Sequence, residues 1–289
     1  MAANCDRREG DCALYCVAQR EDYPALAQLF AQVFGGPVSF AASVLEDFAG
    51  PDNVFTARQE GICTALLCAV PVTLDGRRGA YYYGLATRPE ARGRGVMTGL
   101  MNWAEEELKR RGCTFAVLIP AGASLFGFYQ ARGFEKAFGK RVLRRAIPND
   151  LWAQAEFDTV TAKGLQALRA RYAPGAVTLN DKGVAAVLTD LYSGGITTVA
   201  TDHGYGLFFK KGDTLRFIEL FADSDRAAET LLKAARQKTG AGQAVVELGA
   251  EQTLFLGEGT PGDYGMIRFF GQPFSVRDGY MRLMLDDEE

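Results

Sequence analysis

The feature that most constrains the fold is the run between Gly79 and Gly112. It begins with GAYYYGLATR, residues 79–88, whose aromatic and aliphatic side chains favour a β-strand. It passes through Gly93 and Gly95 and then shows apolar residues at helical spacing, namely Met97, Leu100, Met101, Ala104 and Leu108. Gly112 ends the helical pattern. The run therefore predicts a strand, a glycine-containing turn and an amphipathic helix in direct succession.

The turn of this unit is suited to binding an anion. The first N–H groups of a helix have no partner within it and lie at the positive end of a dipole equivalent to about half a charge. Gly93 and Gly95 place no Cβ between these groups and a ligand. We therefore predict a phosphate site at the turn, where each amide bonded to an anionic oxygen contributes roughly 1.5 to 3 kcal/mol.

Two common phosphate-binding motifs do not match the turn. A Walker loop requires a lysine after its last glycine, and none follows Gly95. A dinucleotide-binding turn requires a third glycine, where this sequence has Thr98. The turn instead resembles the R/Q-x-x-G-x-G/A pyrophosphate loop of the GNAT superfamily of N-acetyltransferases, and it departs from that pattern only at Met97. The matching residues are Arg92, Gly93, Arg94, Gly95 and Val96.

A second segment extends this resemblance. Residues 128–134, FYQARGF, are similar to the F-Y-x-x-x-G-F segment of the family, and residues 113–120 are similar to its central strand. The predicted order of elements, α, α, β, β, β, α, β, α, β, is also that of the family. The resemblance covers roughly residues 10–147. It implies a GNAT fold, an α/β (α+β) architecture with a mixed sheet.

The resemblance also implies acetyl-CoA as the acyl donor and assigns its contacts. Three residues would pair through their backbone with the pantetheine arm and the acetyl carbonyl, namely Leu85, Ala86 and Thr87. The pyrophosphate would lie at Arg92, Gly93, Arg94, Gly95, Val96, Met97 and Thr98, where the amides of residues 93–98 would hold it.

Tyr129 is the candidate general acid, which would protonate the departing thiolate. The alternative is that Tyr129 is an aromatic core residue in a stripe with Phe126 and Phe128. The general base is not assigned. Proteins of the enhanced-intracellular-survival (Eis) group, which this chain resembles, use their terminal carboxylate as the base. The last four residues here are all acidic, namely Asp286, Asp287, Glu288 and Glu289. Such a run is also typical of a solvated acidic tail.

Two further sets of side chains have alternative interpretations. Tyr81, Tyr82 and Tyr83 alternate between the faces of a strand, so that one or two of them either line an acceptor pocket or are ordinary half-buried residues. Three arginines are candidates for the adenosine phosphate of CoA or for an exposed strand face, namely Arg141, Arg144 and Arg145.

The chain is predicted to contain two domains, residues 1–147 and 148–289, separated at IPND. Helices, strands, a helix and a strand recur in the second half, where the helix is predicted to be capped by Asp225 or Ser224. At the corresponding junction, FADSDRAAETLL, there is no glycine, and Asp223 and Asp225 would repel a phosphate. The tandem arrangement resembles the Eis group, although the sequence is too short to include the sterol-carrier-like domain of that group.

The composition argues against several kinds of partner. The chain has 289 residues, of which 48% are hydrophobic and 23% are charged, with a net charge of -3. Nucleic acid and anionic membranes require clustered positive charge, which this balance does not favour. No run approaches the roughly 18 apolar residues of a membrane span, and the first ten residues lack the core of a signal peptide. We expect a cytosolic protein, either monomeric or homo-oligomeric.

Residues that bind metals are scarce. The single histidine, His203, lies in TDHGYG, which predicts a hairpin turn. The six cysteines contain no C-x-x-C pair, and they are Cys5, Cys12, Cys16, Cys63, Cys68 and Cys113. We predict no metal and reduced thiols. The same scarcity argues against a Ser-His or Cys-His nucleophile.

Three functional hypotheses follow. The first is an acetyl-CoA-dependent N-acetyltransferase that acetylates an amine of a small molecule or a peptide. The second is a non-catalytic acyl-CoA sensor or scaffold, which is favoured by the missing loop in the second domain and by Gly122, where many relatives have an asparagine. The third is an acyltransferase that uses a longer acyl chain or a different acceptor.

Overall fold

The fold is described from a computed structural model, which covers residues 6–7, 13–276 and 281. Cys5, Cys12 and the terminal carboxylates Asp286, Asp287, Glu288 and Glu289 lie outside the described residues. Most of residues 280–285, whose sequence YMRLML predicts a last strand, lies outside them as well. The chain forms two compact units. Unit 1 comprises Met1–Glu135, Thr178–Gly183 and Met266–Phe274, and unit 2 comprises the remaining residues. The domain boundary at residue 147 stays a prediction.

The described residues form strands and helices in the following order. The strands are β1 (Asp6–Arg7), β2 (Leu14–Val17), β3 (Val54–Gln59), β4 (Ile62–Leu74), β5 (Arg77–Thr87), β6 (Phe115–Leu118), β7 (Glu135–Ala146), β8 (Thr178–Leu179), β9 (Thr197–Thr201), β10 (Gly204–Lys211), β11 (Thr214–Ala222), β12 (Gln243–Gly249) and β13 (Thr260–Phe269). The α-helices are α1 (Tyr23–Phe34), α2 (Val38–Ser43), α3 (Val96–Arg110), α4 (Ala123–Gln130), α5 (Ala162–Tyr172), α6 (Asp181–Ser193) and α7 (Asp225–Thr239). A π-helical segment, Val44–Ala49, follows α2, and 3-10 turns occur at Arg20–Asp22, Pro51–Asn53 and Pro89–Ala91.

Unit 1 is a mixed sheet with helices packed on it. Strands β1 to β6 are neighbours in chain order, antiparallel except for the parallel pair β5 and β6. Residues 266–269 of β13 pair antiparallel with β6. The apolar face of α3 is buried on the sheet, where the rings of Phe55 and Trp103 are 5.4 Å apart. The predicted strand, turn and helix of this unit are confirmed.

The structure corrects two predictions about element order. The helices expected to open the domain are preceded by strands β1 and β2, which are too short for a period to be recognised. The sequence of residues 134–147 predicts a pair of strands at the end of the domain, but the structure has the single strand β7 there. Gly139 lies inside this strand, and a Cβ there would lie 2.9 Å from Cβ of Ala250. This glycine therefore permits a close approach within the strand and does not form a turn.

Unit 2 repeats the order of a meander, a helix and a strand. Strands β9, β10 and β11 are antiparallel neighbours, and β11 pairs parallel with β12, whose other neighbour is β7. Ser224, one of the two predicted caps, caps α7, because its Oγ accepts the N–H of Ala227 at 3.2 Å. The carboxylate of Asp225 instead accepts the N–H of Phe255 at 2.8 Å. His203 lies in the predicted turn before β10.

Arg141 has a structural role that neither sequence interpretation anticipated. It is buried on β7, and its guanidinium donates hydrogen bonds to carbonyl oxygens of one loop of unit 2. The acceptors are Gln252, Leu254, Phe255 and Glu258, at 2.9, 2.7, 3.1 and 2.5 Å. The loop thus accepts four hydrogen bonds from Arg141, which is not part of an exposed strand face. Arg145 lies 3.2 Å from a carboxylate oxygen of Glu229.

We expect Arg141→Met to lower the free energy of unfolding by about 3 kcal/mol, because buried carbonyl oxygens lose a charged donor. Urea denaturation of the purified variant measures this loss. Arg144→Met is the matched control, since Arg144 lies on the same strand but is exposed, and its effect should stay within about 0.5 kcal/mol. Equal stability of the two variants would contradict the structural role of Arg141.

Candidate active site

The predicted phosphate-binding turn lies open on the surface of unit 1. Gly93 and Gly95 have φ angles of 72° and 78°, a left-handed conformation that favours glycine. A Cβ built on either glycine would meet no atom within 4 Å. Arg92 and Arg94 are exposed as well. The space in front of the turn is therefore free for a ligand.

The helix that follows the turn leaves its first amides available. Gly95 is the N-cap of α3, and no side chain caps the helix there. The N–H of Gly99 bonds to the carbonyl oxygen of Gly95 at 2.9 Å, so the N–H groups of the three preceding residues lack a helical acceptor. The side chains of Val96 and Met97 pack in the core. Met97, the residue that departs from the family motif, therefore does not obstruct the turn.

Strands β5 and β6 pair over only part of the length of β5. The two strands pair only from Gly79 to Tyr81, opposite Phe115 to Val117. Leu85, Ala86 and Thr87 lie beyond the last pair, so this edge of β5 has no strand partner there among the described residues. An extended ligand can therefore hydrogen-bond to the edge of β5 as a further strand would.

A β-bulge lies just before this unpaired edge. Leu66 is opposite Ala86, but Cys68 is opposite Tyr83, so β5 contains one extra residue. Gly84, inside the bulge, has a φ of 61°, and a Cβ there would lie 2.6 Å from the ring of Phe30. The bulge therefore requires glycine on two grounds, its backbone angle and the ring packed against it.

Tyr129 combines a packed ring with an unpartnered hydroxyl. It lies on α4, is 8% exposed, and its ring centroid is 5.2 Å from Phe128 and 5.8 Å from Phe134. No hydrogen bond to another described residue engages its hydroxyl. Burial raises the pKa of Tyr129 to about 12, and the nearby Arg132 opposes that rise. The phenol is therefore protonated at neutral pH, as a general acid must be.

Two arginines connect these parts of the site. Nε of Arg92 donates to the carbonyl oxygen of Thr87 at 3.1 Å and so joins the turn to the end of β5. Arg132, just after α4, donates to Oγ1 of Thr98 in the first turn of α3. The turn, the end of β5 and the helix of Tyr129 thus meet around α3. Sequence reasoning missed Arg132, whose only signal is a cation within the otherwise largely apolar segment 126–134.

The three consecutive tyrosines of β5 alternate between the faces of the sheet. All three are buried. Tyr82 packs near Phe134, with ring centroids 6.1 Å apart, whereas Tyr81 and Tyr83 lie 5.8 Å from each other on the other face. The ring of Tyr83 is 6.0 Å from that of Phe30.

Two searches of the described residues concern a metal ion and a membrane-spanning helix. No group of three or more His, Cys, Asp and Glu side chains could hold a metal ion. No described helix has the length and apolar character needed to cross a membrane.

Comparison with known proteins identifies the first unit. The family profile described as the acetyltransferase (GNAT) domain matches residues 15–137, which include the turn, α3 and Tyr129. The structure of Eis1 from Mycobacterium abscessus has a TM-score of 0.69 at 17% identity and covers 89% of this chain and 74% of its own. A probable N-acyltransferase from Enterococcus faecalis V583 has a TM-score of 0.70 at 14% identity, covering 89% of this chain and 73% of its own.

A third structure is informative about the second unit. The tandem GNAT protein from the clavulanic acid biosynthesis pathway has a TM-score of 0.54 at 13% identity and covers 91% of this chain and 100% of its own. At such identities these likenesses establish the fold. They confirm the predicted fold class, a GNAT fold followed by a second, degenerate GNAT-like domain. Residues 15–137 match the acetyltransferase (GNAT) domain, which supports an acyltransferase, and the fold of the whole chain is similar to that of Eis1 and of the tandem GNAT protein.

Proposed function

We propose that this protein is an acetyl-CoA-dependent N-acetyltransferase that acetylates an amine of a small molecule or a peptide. One observation carries the proposal, namely the uncapped N-terminus of α3 beside the unpaired edge of β5. The amides of α3 suit a diphosphate, and the edge of β5 suits the extended, amide-containing pantetheine arm. The pantetheine arm would bind along Leu85, Ala86 and Thr87.

Acetyl-CoA supplies the acyl group as a thioester. Transfer forms a C–N bond to the acceptor amine and breaks the C–S bond, so one proton leaves nitrogen and another must reach sulfur. We assign the second proton to the hydroxyl of Tyr129, which is protonated at neutral pH because burial raises its pKa to about 12. The proton on nitrogen passes to a general base, which we do not assign to a residue.

The second half of the chain differs from the first at the helix that corresponds to α3. We propose that residues 1–147 contain the acetyl-CoA site and that residues 148–289 lack it. The first turn of α7, which corresponds to that of α3, is capped by Ser224 and carries Asp225 where a phosphate would bind. A side-chain cap and a carboxylate both oppose an anion at this position.

Thiol release tests the proposal. The full chain should bind CoA in calorimetry and release free thiol from acetyl-CoA when a suitable amine is present in a panel of amines and short peptides. Binding without thiol release with any amine would instead indicate an acyl-CoA sensor. Faster release from a longer acyl-CoA would indicate the alternative acyltransferase. Failure to bind CoA would refute all three hypotheses.

A further inference from the structure

Arg132 is held firmly at the junction between α4 and α3. Its Nε and Nη2 donate to Oγ1 of Thr98 at 3.0 and 2.8 Å, and its Nη1 donates to the carbonyl oxygen of Phe128 at 2.6 Å. The guanidinium lies 3.5 Å from the centroid of the Phe128 ring. Arg268 binds the carbonyl oxygen of Arg132 at 2.5 Å and forms an ion pair with Glu105 of α3. The side chain and the backbone of Arg132 are therefore both fixed.

The charge of Arg132 is not neutralised by a carboxylate. Three other half-buried arginines have such a partner: Arg58 pairs with Asp22, Arg145 with Glu229 and Arg216 with Glu247. Arg88 resembles Arg132, since its Nε donates to a carbonyl oxygen and no carboxylate among the described residues pairs with it. No carboxylate among the described residues lies within ion-pair distance of Arg132. Burial lowers the pKa of Arg132, which reflects the cost of removing a cation from water. A half-buried cation without a counterion is a ready partner for an anionic ligand.

The position of Arg132 matches the phosphate site proposed above. Oγ1 of Thr98 is three bonds from the amide nitrogen of the same residue, and that amide is one of those left free at the start of α3. The guanidinium is therefore adjacent to the amides that would hold the pyrophosphate. A guanidinium has five N–H donors, of which the contacts above engage three. The remaining donors are available for phosphate oxygens.

We propose that Arg132 is a further ligand of the CoA pyrophosphate, acting beside the amides of the turn and of α3. The proposal rests on the function proposed above. Thr98 and Phe128 hold the guanidinium in place before the ligand arrives, so little side-chain freedom is lost on binding. The guanidinium also sits close to Tyr129, so a bound phosphate would neutralise a positive charge beside the proposed general acid.

Calorimetry with the full chain tests the proposal, using CoA and 3′-dephospho-CoA as probes. We expect Arg132→Ala to raise the Kd for both ligands by roughly 10- to 100-fold, the loss typical of a charge-assisted hydrogen bond. Arg132→Lys should recover part of the affinity because it restores the charge but not the planar fork. Arg110→Ala, which removes a charge from the other end of α3, should leave the Kd within about twofold, since Arg110 pairs with Glu107 at an exposed position.

Turnover with acetyl-pantetheine, which lacks phosphate, separates ligand binding from a structural role. Arg132→Ala should lower kcat/KM for acetyl-CoA but not for acetyl-pantetheine. An equal loss for both donors would show that Arg132 only positions α4, and an unchanged Kd for CoA would also overturn the proposal. Weakened CoA binding with unchanged 3′-dephospho-CoA binding would assign Arg132 to the ribose phosphate instead.

Two further measurements distinguish failure of the present inference from misfolding of a variant and from failure of the proposed function. If Arg132→Ala does not fold, Arg132→Gln keeps much of the side-chain volume and a hydrogen-bond donor without the charge, and it should show the same loss of affinity. If the unaltered protein itself binds no CoA, the proposed function fails. If it binds CoA and all Arg132 variants bind equally well, only the present inference fails.

Discussion

Replacing Tyr129 with phenylalanine should lower kcat for acetyl transfer by about 10²- to 10⁴-fold, the range typical of a lost general acid. The Kd for CoA should stay within about twofold, because the ring remains in place. The fold should tolerate the change as well, since the hydroxyl has no hydrogen-bond partner among the described residues. Steady-state kinetics at saturating acetyl-CoA and amine, together with calorimetry, measure both quantities.

Tyr23→Phe is the matched control for Tyr129→Phe. Tyr23 is also buried in unit 1, its hydroxyl has no partner among the described residues, and burial raises its pKa to about 12. Its loss should leave kcat nearly unchanged. A Tyr129→Phe enzyme with full turnover would return Tyr129 to the alternative interpretation as a core aromatic.

The pH dependence of turnover follows from the raised pKa of Tyr129. A general acid works while protonated, so its titration should leave kcat unaffected from neutral pH to about pH 11 and lower it as pH passes about 12. The contribution of Tyr129 to the free energy of unfolding also decreases as the pH rises. The unfolded tyrosine ionises near pH 10 and the folded one near 12, so this contribution is complete below pH 10 and is lost between these values. A decline of kcat between pH 8 and 10 that is absent from Tyr129→Phe would contradict the raised pKa.

Replacing Gly95 with alanine should raise the Kd for CoA by at least about 10-fold. The residue has a φ of 78° at the N-cap of α3, and an alanine there is strained by roughly 1 to 2 kcal/mol. Its Cβ would also project into the open space in front of the turn, where the phosphates must approach. Relaxation of the strain would rotate the free amides away from the ligand. Calorimetry with CoA gives the change in Kd.

Gly112→Ala distinguishes ligand binding from backbone strain. Gly112 follows the other end of α3, has a φ of 81°, and a Cβ there would also meet no atom within 4 Å. Both variants should therefore lose similar stability in thermal denaturation. Only Gly95→Ala should lose affinity for CoA, and an equal loss in both variants would exclude the turn as the binding site.

Local sequence patterns were sufficient for the elements of the site. The bounds predicted for α3 follow from apolar spacing and from Gly112, and the turn is recognised from Gly93 and Gly95. These signals are local because helical periodicity and left-handed φ angles depend on neighbouring residues. The segment around Tyr129 was recognised by resemblance for the same reason, since its motif is continuous in sequence.

Tertiary structure decided what those elements do together. Residues 266–269 pair with β6 although roughly 150 residues separate them, and no local pattern specifies that partner. The unpaired edge of β5 depends on where β6 stops, and the contact between Arg132 and Thr98 spans 34 positions. The close approach that requires a glycine at position 139 comes from Ala250, which lies more than 100 residues away in the sequence. Contacts of this kind arise when distant surfaces fit in three dimensions, so a single sequence predicts the parts of the site but not their arrangement.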